Sequence, residues 1–502
     1  MPGSSALWRA VVPGAAALSM LAAVVAGNTH ADPARAPAAA AGPAYATLGR
    51  AAVATVEHSY YHGAGLWNMC VPAQCGTSDH DWGADSLTYA LYFHWRLTHD
   101  KTVIPLMNAL TASARTYTPT TAAWSDAPLW DSVADALEYQ VTGNPLALAK
   151  AEAAFSYVAT DQAAAFATGA CPAIQYQLRN GGTTKVKTLE TSANYIRAAL
   201  LLYQITKGAV FLQQAQTEYA AVRQYFLDPA VPLYSVYVFD NGATCTQVPG
   251  RFFGSVNGLM ISNGLTLAQD TGRAAYRTQA IATAKAVAQD LNDAAGVYAD
   301  LQAENDVTEP LIEAMYNLAT QGHQTFARLW LLRAASAAAS GVTAGGEYGR
   351  FFDGPPPQAP VTAWQVAGGL TLEQAAGALD PAGRPTQLGY WTQAVLVPDD
   401  LSLAFTPIQF TFTGRAVAIM GTIGEVCCEP GHAQVFIDGK RTFDQTGIWQ
   451  NKSSSGQTLP NSILFAWRWP TPGTHTIEIV PGVPNAKEGS SFFHMTGYLL
   501  VK

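Results

Sequence analysis

One phrase recurs five times in the first 330 residues and limits what the chain can become. It reads FHWRLTHDKTVIPLMNAL from Phe93, EYQVTGNPLALAKAEAAF from Glu138, LYQITKGAVFLQQAQTEY from Leu202 and LAQDTGRAAYRTQAIATA from Leu267, with a looser copy, YNLATQGHQTFARLWLLR, from Tyr316. Each copy shows a helical pattern ending at a Thr-Gly-like turn, a few polar residues, and a second amphipathic helix. Gly143 and Gly272 fall where a left-handed residue ends a helix, with Lys207 and Asp100 as imperfect versions. The marker threonines Thr142, Thr206 and Thr271 lie 64 and 65 residues apart. That period fits a two-helix hairpin plus a long connection.

Hairpins of this size stack as an open solenoid or close into a ring. The long connections, Tyr117–Ser125, Ala170–Thr188 and Pro232–Phe253, are rich in Trp, Tyr, Gly and acids. A ring gathers such loops on one face as a cleft, so the expected fold is an all-α (α/α)6 toroid over 45–395, with Thr362–Leu379 helping to close it. From about residue 400 the pattern changes to short alternating runs such as IQFTFTG, AVAIMGTI, AQVFIDGK, ILFAWRW and HTIEIVP. Asp438-Gly439, Pro472-Gly473 and Pro481-Gly482 mark turns between them. A C-terminal all-β jelly roll or β-sandwich over 400–502 is expected.

Residues 1–31 read as a signal peptide: Arg9, an apolar run Val11–Ala26, then small residues at Ala26, Gly27 and Ala31. Residues 32–44 are an Ala/Pro leader. Export suits the cysteines. Cys70 and Cys75 flank a tight loop, Cys171 and Cys245 could pair, and the adjacent Cys427 and Cys428 could only form a strained bond with each other. A net charge of −8 without a basic stripe excludes nucleic acid, and no later run is long enough to span a membrane. No metal-ligand spacing, phosphate loop or dinucleotide fingerprint occurs, so no cofactor is expected.

The chemistry concentrates in AWSDAPLWDSVADALEYQVTG (Ala123–Gly143). Counting from Trp130, Val133, Ala134, Leu137 and Val141 recur at helical spacing, which puts Asp126 at the helix mouth between Trp124 and Trp130. Unpaired backbone N–H groups favour a carboxylate there, and indoles offer flat faces to a sugar ring. The alternative is that Ser125 or Asp126 only caps the helix.

At these residues the chain resembles glycoside hydrolase family 76, the α-1,6-mannanases. The DAPLW…YQVTG stretch is similar to that family's Asp-Asp-x-x-Trp stretch and following helix. WGADSLTYALYFHWRLT from Trp82, LETSANYIRAALLLYQITKG from Leu189 and FFGSVNGLMISNGLTLAQDTG from Phe252 look like its other inner helices. The resemblance implies a secreted glycosidase that cleaves α-mannan-like or related cell-wall polysaccharide, acting as a monomer on an oligosaccharide. It implies Asp126 as nucleophile or electrostatic stabiliser and Trp82, Asp85, Trp124, Trp130, Asn194, Tyr195, Arg251 and Asn257 as cleft residues.

Where the family has a second aspartate, this chain has Ala127. Glycosidic hydrolysis needs two carboxyls, so the partner must come from elsewhere. Asp131 and Asp306 are the candidates. Glu190 reads as a helix cap, with a place in the cleft as the alternative, and Glu309 and Glu313 as a solvated helix start. The alternative function is a non-catalytic glycan-binding protein with a degenerate site. The β region resembles galactose-binding-like carbohydrate modules in its VFIDG hairpin and PGTHTIEIV strand. Trp449 is its expected sugar platform and Arg468 a polar partner, while Trp467 and Trp469 either join that platform or fill the core.

Overall fold

The computed structural model describes residues 42–502 except 74, 79–81, 113–123, 162–168, 178–184, 249–251, 300–307, 350, 404–406, 424–432, 442–458 and 482–492. The expected signal peptide, the leader up to residue 41, the Cys427–Cys428 pair, and Arg251, Asp306 and Trp449 lie outside the described residues. Gly42–Lys502 is one compact unit containing two separate hydrophobic cores.

The first core is helical. Its helices are α1 (Tyr45–Thr55), α2 (Trp82–Thr98), α3 (Ile104–Thr111), α4 (Asp126–Thr142), α5 (Pro145–Asp161), α6 (Leu189–Thr206), α7 (Ala209–Tyr225), α8 (Gly254–Thr271), α9 (Ala274–Asp290), α10 (Glu309–Thr320), α11 (Thr325–Ala338) and α12 (Ala363–Leu379). The even-numbered helices pack in sequence, α2 on α4, α4 on α6, α6 on α8, α8 on α10 and α10 on α12, and α12 packs back on α2. The odd-numbered helices lie outside them: α5 on α4, α7 on α6, α9 on α8, α11 on α10 and α1 on α12. The layering follows burial, since α4, α6 and α8 are buried around most of their circumference whereas α7 and α9 bury one stripe. Gly258 lets α8 approach α10, for a Cβ there would lie 2.4 Å from Leu311 Cβ.

The repeated turn has a specific chemistry. The hydroxyls of Thr206 and Thr271 donate to the carbonyls of Leu202 and Leu267 at 2.8 and 2.6 Å, and accept from the N–H of Gly208 and Arg273. The intervening left-handed residues are Gly143, Lys207 and Gly272. In the first copy that residue is His99, with φ of 55°, rather than Asp100. Asp100 instead caps the next turn, its carboxylate accepting from Thr102 N–H at 2.8 Å.

Of the even-numbered helices, α2, α4, α6 and α8 finish at these turns, so their beginnings lie together at the opposite end of the circuit. Short strands β1 (Tyr61–Gly63), β2 (Leu66–Asn68) and β4 (Thr77–Ser78) form one sheet, and β3 (Cys70–Val71) pairs with β8 (Val361–Thr362). A three-stranded antiparallel sheet of β5 (Val186–Thr188), β6 (Tyr237–Asp240) and β7 (Cys245–Gln247) precedes α6 and α8 at the beginning end. Among the described residues two disulfides occur, Cys70–Cys75 and Cys171–Cys245. Among the described residues no helix is long and apolar enough to cross a membrane.

The second core belongs to one six-stranded antiparallel sheet built from β9 (Val395–Leu403), β10 (Ile408–Ile423), β11 (Ala433–Ile437), β12 (Lys440–Arg441), β13 (Leu459–Pro481) and β14 (Phe493–Val501), in the order β12-β11-β13-β10-β14-β9. The β10–β13 register jumps between Gly414 and Ala416, an irregularity that bends both strands. Trp469 fills this core, stacked on His475 with ring centroids 3.9 Å apart. Arg468 corrects the expectation of a sugar contact. It is buried and faces the helices, donating from Nε to Asp353 O at 2.5 Å, from Nη2 to Ser340 Oγ at 3.0 Å, and to the Gln387 amide oxygen. Strand alternation placed it opposite the tryptophans correctly, but the helical layer covers that face too.

Candidate functional site

Asp126 is the first residue of α4 and is 4% exposed. The start of α4 is tied down by Ser125 N–H donating to Gln177 O at 2.8 Å. Burial pushes the Asp126 carboxyl well above the usual carboxylate range, and the nearby charge of Glu190 pushes it further; backbone N–H groups of Asp126 and Ala127 pull the other way. Its Oδ1 has no hydrogen-bond partner.

The neighbouring carboxyl is Glu190, the second residue of α6. The helix cap that the sequence assigned to Glu190 belongs to Thr188, whose hydroxyl accepts from Thr191 N–H at 3.3 Å. Glu190 instead accepts from the indole Nε1–H of Trp130 at 3.0 Å. Trp130 stands four residues after Asp126, so both lie on one face of α4, turned towards the start of α6. Burial raises the Glu190 carboxyl, and the Trp130 hydrogen bond offsets part of that rise.

The start of α6 is held from behind. Lys187, in β5, pairs with Asp240 of β6 at 3.3 Å and donates to Cys171 O at 2.6 Å, while Cys171 is bonded to Cys245 of β7. Leu189 N–H donates to Val236 O at 2.8 Å. A sheet, a buried ion pair and a disulfide thus converge on the three residues before Glu190.

Asn194 lies one turn further along α6, on the same face as Glu190. It is 0% exposed, yet neither its amide oxygen nor its nitrogen has a partner. Buried amides ordinarily bond something, so Asn194 stands out at this end as an amide with unused hydrogen-bonding capacity. Asp85, in the first turn of α2, is also buried at this end. Glu309 opens α10 at the same end. It is buried rather than solvated, neither carboxyl oxygen has a partner, and burial raises it well above the ordinary range.

The remaining expected residues divide. Trp124 is half-buried just before α4, and Trp82 opens α2. Asp131 is buried but lies five residues beyond Asp126, roughly 140° around the helix, and faces away from the pair. Tyr195 is a packing residue: its ring sits 4.7 Å from that of Phe155 on the outer helix α5. Asn257 is satisfied by backbone, accepting from Tyr234 N–H at 2.9 Å and donating to Tyr234 O and Phe253 O. It holds the loop before α8 in place and has no amide proton left for a sugar.

Among the described residues no group of three or more His, Cys, Asp or Glu is placed to hold a metal ion. The chemistry available is that of two carboxyls on adjacent helix starts, one a buried acid and the other held by an indole donor, above an unpartnered amide.

No protein-family profile matches the sequence, and no curated protein is similar enough to register as a relative. Solved structures are informative. An α-1,6-mannanase of family 76 from Salegentibacter sp. HEL1_6 aligns with a TM-score of 0.59 at 17% identity, covering 67% of this chain and all of that one. A variant of it, inactivated by replacing two consecutive aspartates with alanine, was solved with α-1,6-mannotetrose. The family 76 mannosidase Bt3792 from Bacteroides thetaiotaomicron aligns at 0.58 and 12% identity, over 67% of this chain and 98% of its own. Dfg5 from Chaetomium thermophilum, in complex with glucosamine, aligns at 0.51 and 12% identity, over 69% and 92%. Over about two thirds of its length, this chain has the fold of the family 76 α-mannanases.

Proposed function

We propose that the chain is an exported glycoside hydrolase acting on α-mannan-like polysaccharide, an (α/α)6 toroid over 45–395 with Asp126 and Glu190 as its carboxyl pair. The observation that carries this reading is the Trp130–Glu190 hydrogen bond of 3.0 Å, which anchors a second carboxyl beside Asp126. The pair replaces the adjacent aspartates of the family, so Ala127 does not leave the site without an acid.

Burial and mutual repulsion raise both carboxyls and so disfavour the doubly ionised pair, and in the proposed reaction the pair carries one proton. The more buried Asp126 keeps it and donates it to the leaving glycosidic oxygen. Glu190, whose anion accepts the Trp130 N–H, meets the positive charge that develops at the anomeric carbon, and a water then bonds that carbon and returns a proton to the pair. Asn194 receives sugar hydroxyls at the floor of the cleft, and Trp124 supplies an aromatic wall. The β region, 400–502, is proposed as a jelly-roll carbohydrate module of galactose-binding-like type, with Trp449 as its platform.

The test is release of reducing ends by the purified chain from a panel of α-mannans, glucans and arabinans, beside Asp126→Asn. Hydrolysis of α-mannan that the substitution abolishes is expected. No product from any glycan, or full activity in the variant, overturns the assignment. Ala127 favours a second reading, a glycan-binding protein without turnover, which predicts mannan binding by both proteins and product from neither.

A further inference from the structure

The opposite end of the helical circuit carries a second cavity, of about 210 Å3, several times the space one water takes up. Arg96, Gln204, Thr266 and Asn317 line it towards the finishing ends of α2, α6, α8 and α10, Arg197 and Glu313 line it at mid-helix, and Arg277 of α9 is among the other lining residues. Along α6 the lining runs from Arg197 to Gln204, roughly 10–21 Å beyond Glu190 on the helix axis, and neither Asp126 nor Glu190 lines it.

Its floor is a charged network. Arg197 donates from Nη2 to Glu313 Oε2 at 3.1 Å, and Arg96 and Tyr89 also bond the Glu313 carboxylate. Arg96 reaches the Asn317 amide oxygen as well. Burial alone would raise Glu313, but the two guanidiniums and the Tyr89 hydroxyl outweigh it and hold the carboxyl below its ordinary range. The single anion therefore faces Arg96, Arg197 and Arg277, and the lining carries two formal positive charges in excess. Outside the lining, Asp270 is bonded by Gln204 and offset by Lys207.

Two features show that the protein does not complete this network. Arg197 is 4% exposed, and its Nε–H has no partner. A buried guanidinium N–H without an acceptor is costly, and the acceptor that suits it is an oxyanion. Around the guanidiniums, Gln204, Gln269, Gln321, Ser262 and Thr266 present amides and hydroxyls, and Leu201, Leu265 and Leu318 complete the wall. Such a lining matches a small molecule with one anionic group and several hydroxyls.

We propose that this cavity is a binding site for an anionic sugar, a sugar acid or sugar phosphate whose oxyanion bonds Arg197 Nε and the exposed Arg277. The site stands apart from the hydrolase reading and does not depend on it. Isothermal titration of the full exported chain with glucuronate, mannose 6-phosphate, inorganic phosphate and neutral mannose tests it. Saturable binding of glucuronate or mannose 6-phosphate is expected, at least tenfold tighter than neutral mannose; whichever binds more tightly identifies carboxylate or phosphate as the group. Arg277→Gln, which changes an exposed side chain, and Thr266→Trp, which fills the cavity, are each expected to weaken binding at least tenfold. Unfolding temperature checks that both remain folded, and mannan turnover is expected to be unchanged in Arg277→Gln. Absence of binding at 10-fold excess over millimolar protein, equal binding of neutral mannose, or wild-type affinity in folded Arg277→Gln overturns the proposal. Binding of inorganic phosphate alone, with neither sugar anion, overturns the sugar assignment.

Discussion

Replacing Arg468 with methionine is expected to uncouple the sheet from the helices. Arg468 is 1% exposed and lies between two buried acids, Asp353 and Asp293. Burial raises both acids, Asp353 well above its ordinary range and Asp293 to about 7, and the proximity of the two adds to the rise in Asp353. The guanidinium opposes both rises and so favours the ionised form of each acid. The guanidinium also bonds Asp353 O, Ser340 Oγ and Gln387, and lies 4.4 Å from the Tyr390 ring centroid. Methionine keeps much of the volume but leaves a buried carboxylate without its cation. Removing one partner of a buried pair costs about 3–5 kcal/mol. Urea unfolding of the full chain, followed by tryptophan fluorescence, measures the loss. Adding Asp353→Asn should recover part of it by removing the stranded charge. A loss below about 1 kcal/mol, or no recovery in the double variant, would refute the reasoning. The pH dependence has a definite sign. A carboxyl whose native pKa is raised to about 7 contributes stability that is full below the unfolded value near 4 and is lost as pH rises towards 7. Asp293→Asn should flatten the stability profile across that window.

Three further predictions follow from the site and its scaffold. Because burial raises both Asp126 and Glu190, the alkaline limb of kcat/KM on α-mannan should lie above the ordinary carboxylate range, and it should move down in Glu190→Gln as the repulsion disappears; an unmoved limb would separate the two groups. Asn194→Ala should change unfolding free energy by less than about 1 kcal/mol, since the amide has no protein partner to lose, while raising KM for a mannooligosaccharide about tenfold; a large stability loss with unchanged KM would make it a structural amide. Gly258→Ala should cost about 1–3 kcal/mol, because its methyl would meet Leu311 at 2.4 Å, and a neutral result would mean that α8 and α10 are not packed as described.

The helical circuit was legible because each copy of the repeat carries its own punctuation. Thr206 and Thr271 bond both the carbonyl four residues back and the N–H two residues on, so a Thr followed by a left-handed residue marks a helix end. The register slipped by one in the first copy because His99, not a glycine, adopts the left-handed conformation. Asp126 was legible from helical spacing and flanking indoles. Glu190 was not, since a carboxylate in the first turn of a helix looks the same whether it caps or reacts. One signal was present: Thr188 stands three residues before Thr191 and already supplies the cap, which makes a second cap redundant. Asn194 and Asn257 read identically in sequence, as amides amid apolar neighbours. Only the fold reveals that Tyr234 and Phe253 satisfy Asn257 and nothing in the protein satisfies Asn194. Arg468 and Glu313 were misread for one reason: partners more than a hundred residues away in sequence cover both.

The central claim is that Glu190 supplies the carboxyl missing at Ala127. Steady-state hydrolysis of an α-1,6-mannooligosaccharide by wild type and Glu190→Gln, with unfolding temperatures matched, tests it most directly. The substitution is nearly isosteric and its amide oxygen can still accept the Trp130 N–H, so the fold should persist. A fall in kcat of about 1,000-fold or more is predicted, the order expected when one of two catalytic carboxyls is neutralised. Activity within tenfold of wild type would contradict the account.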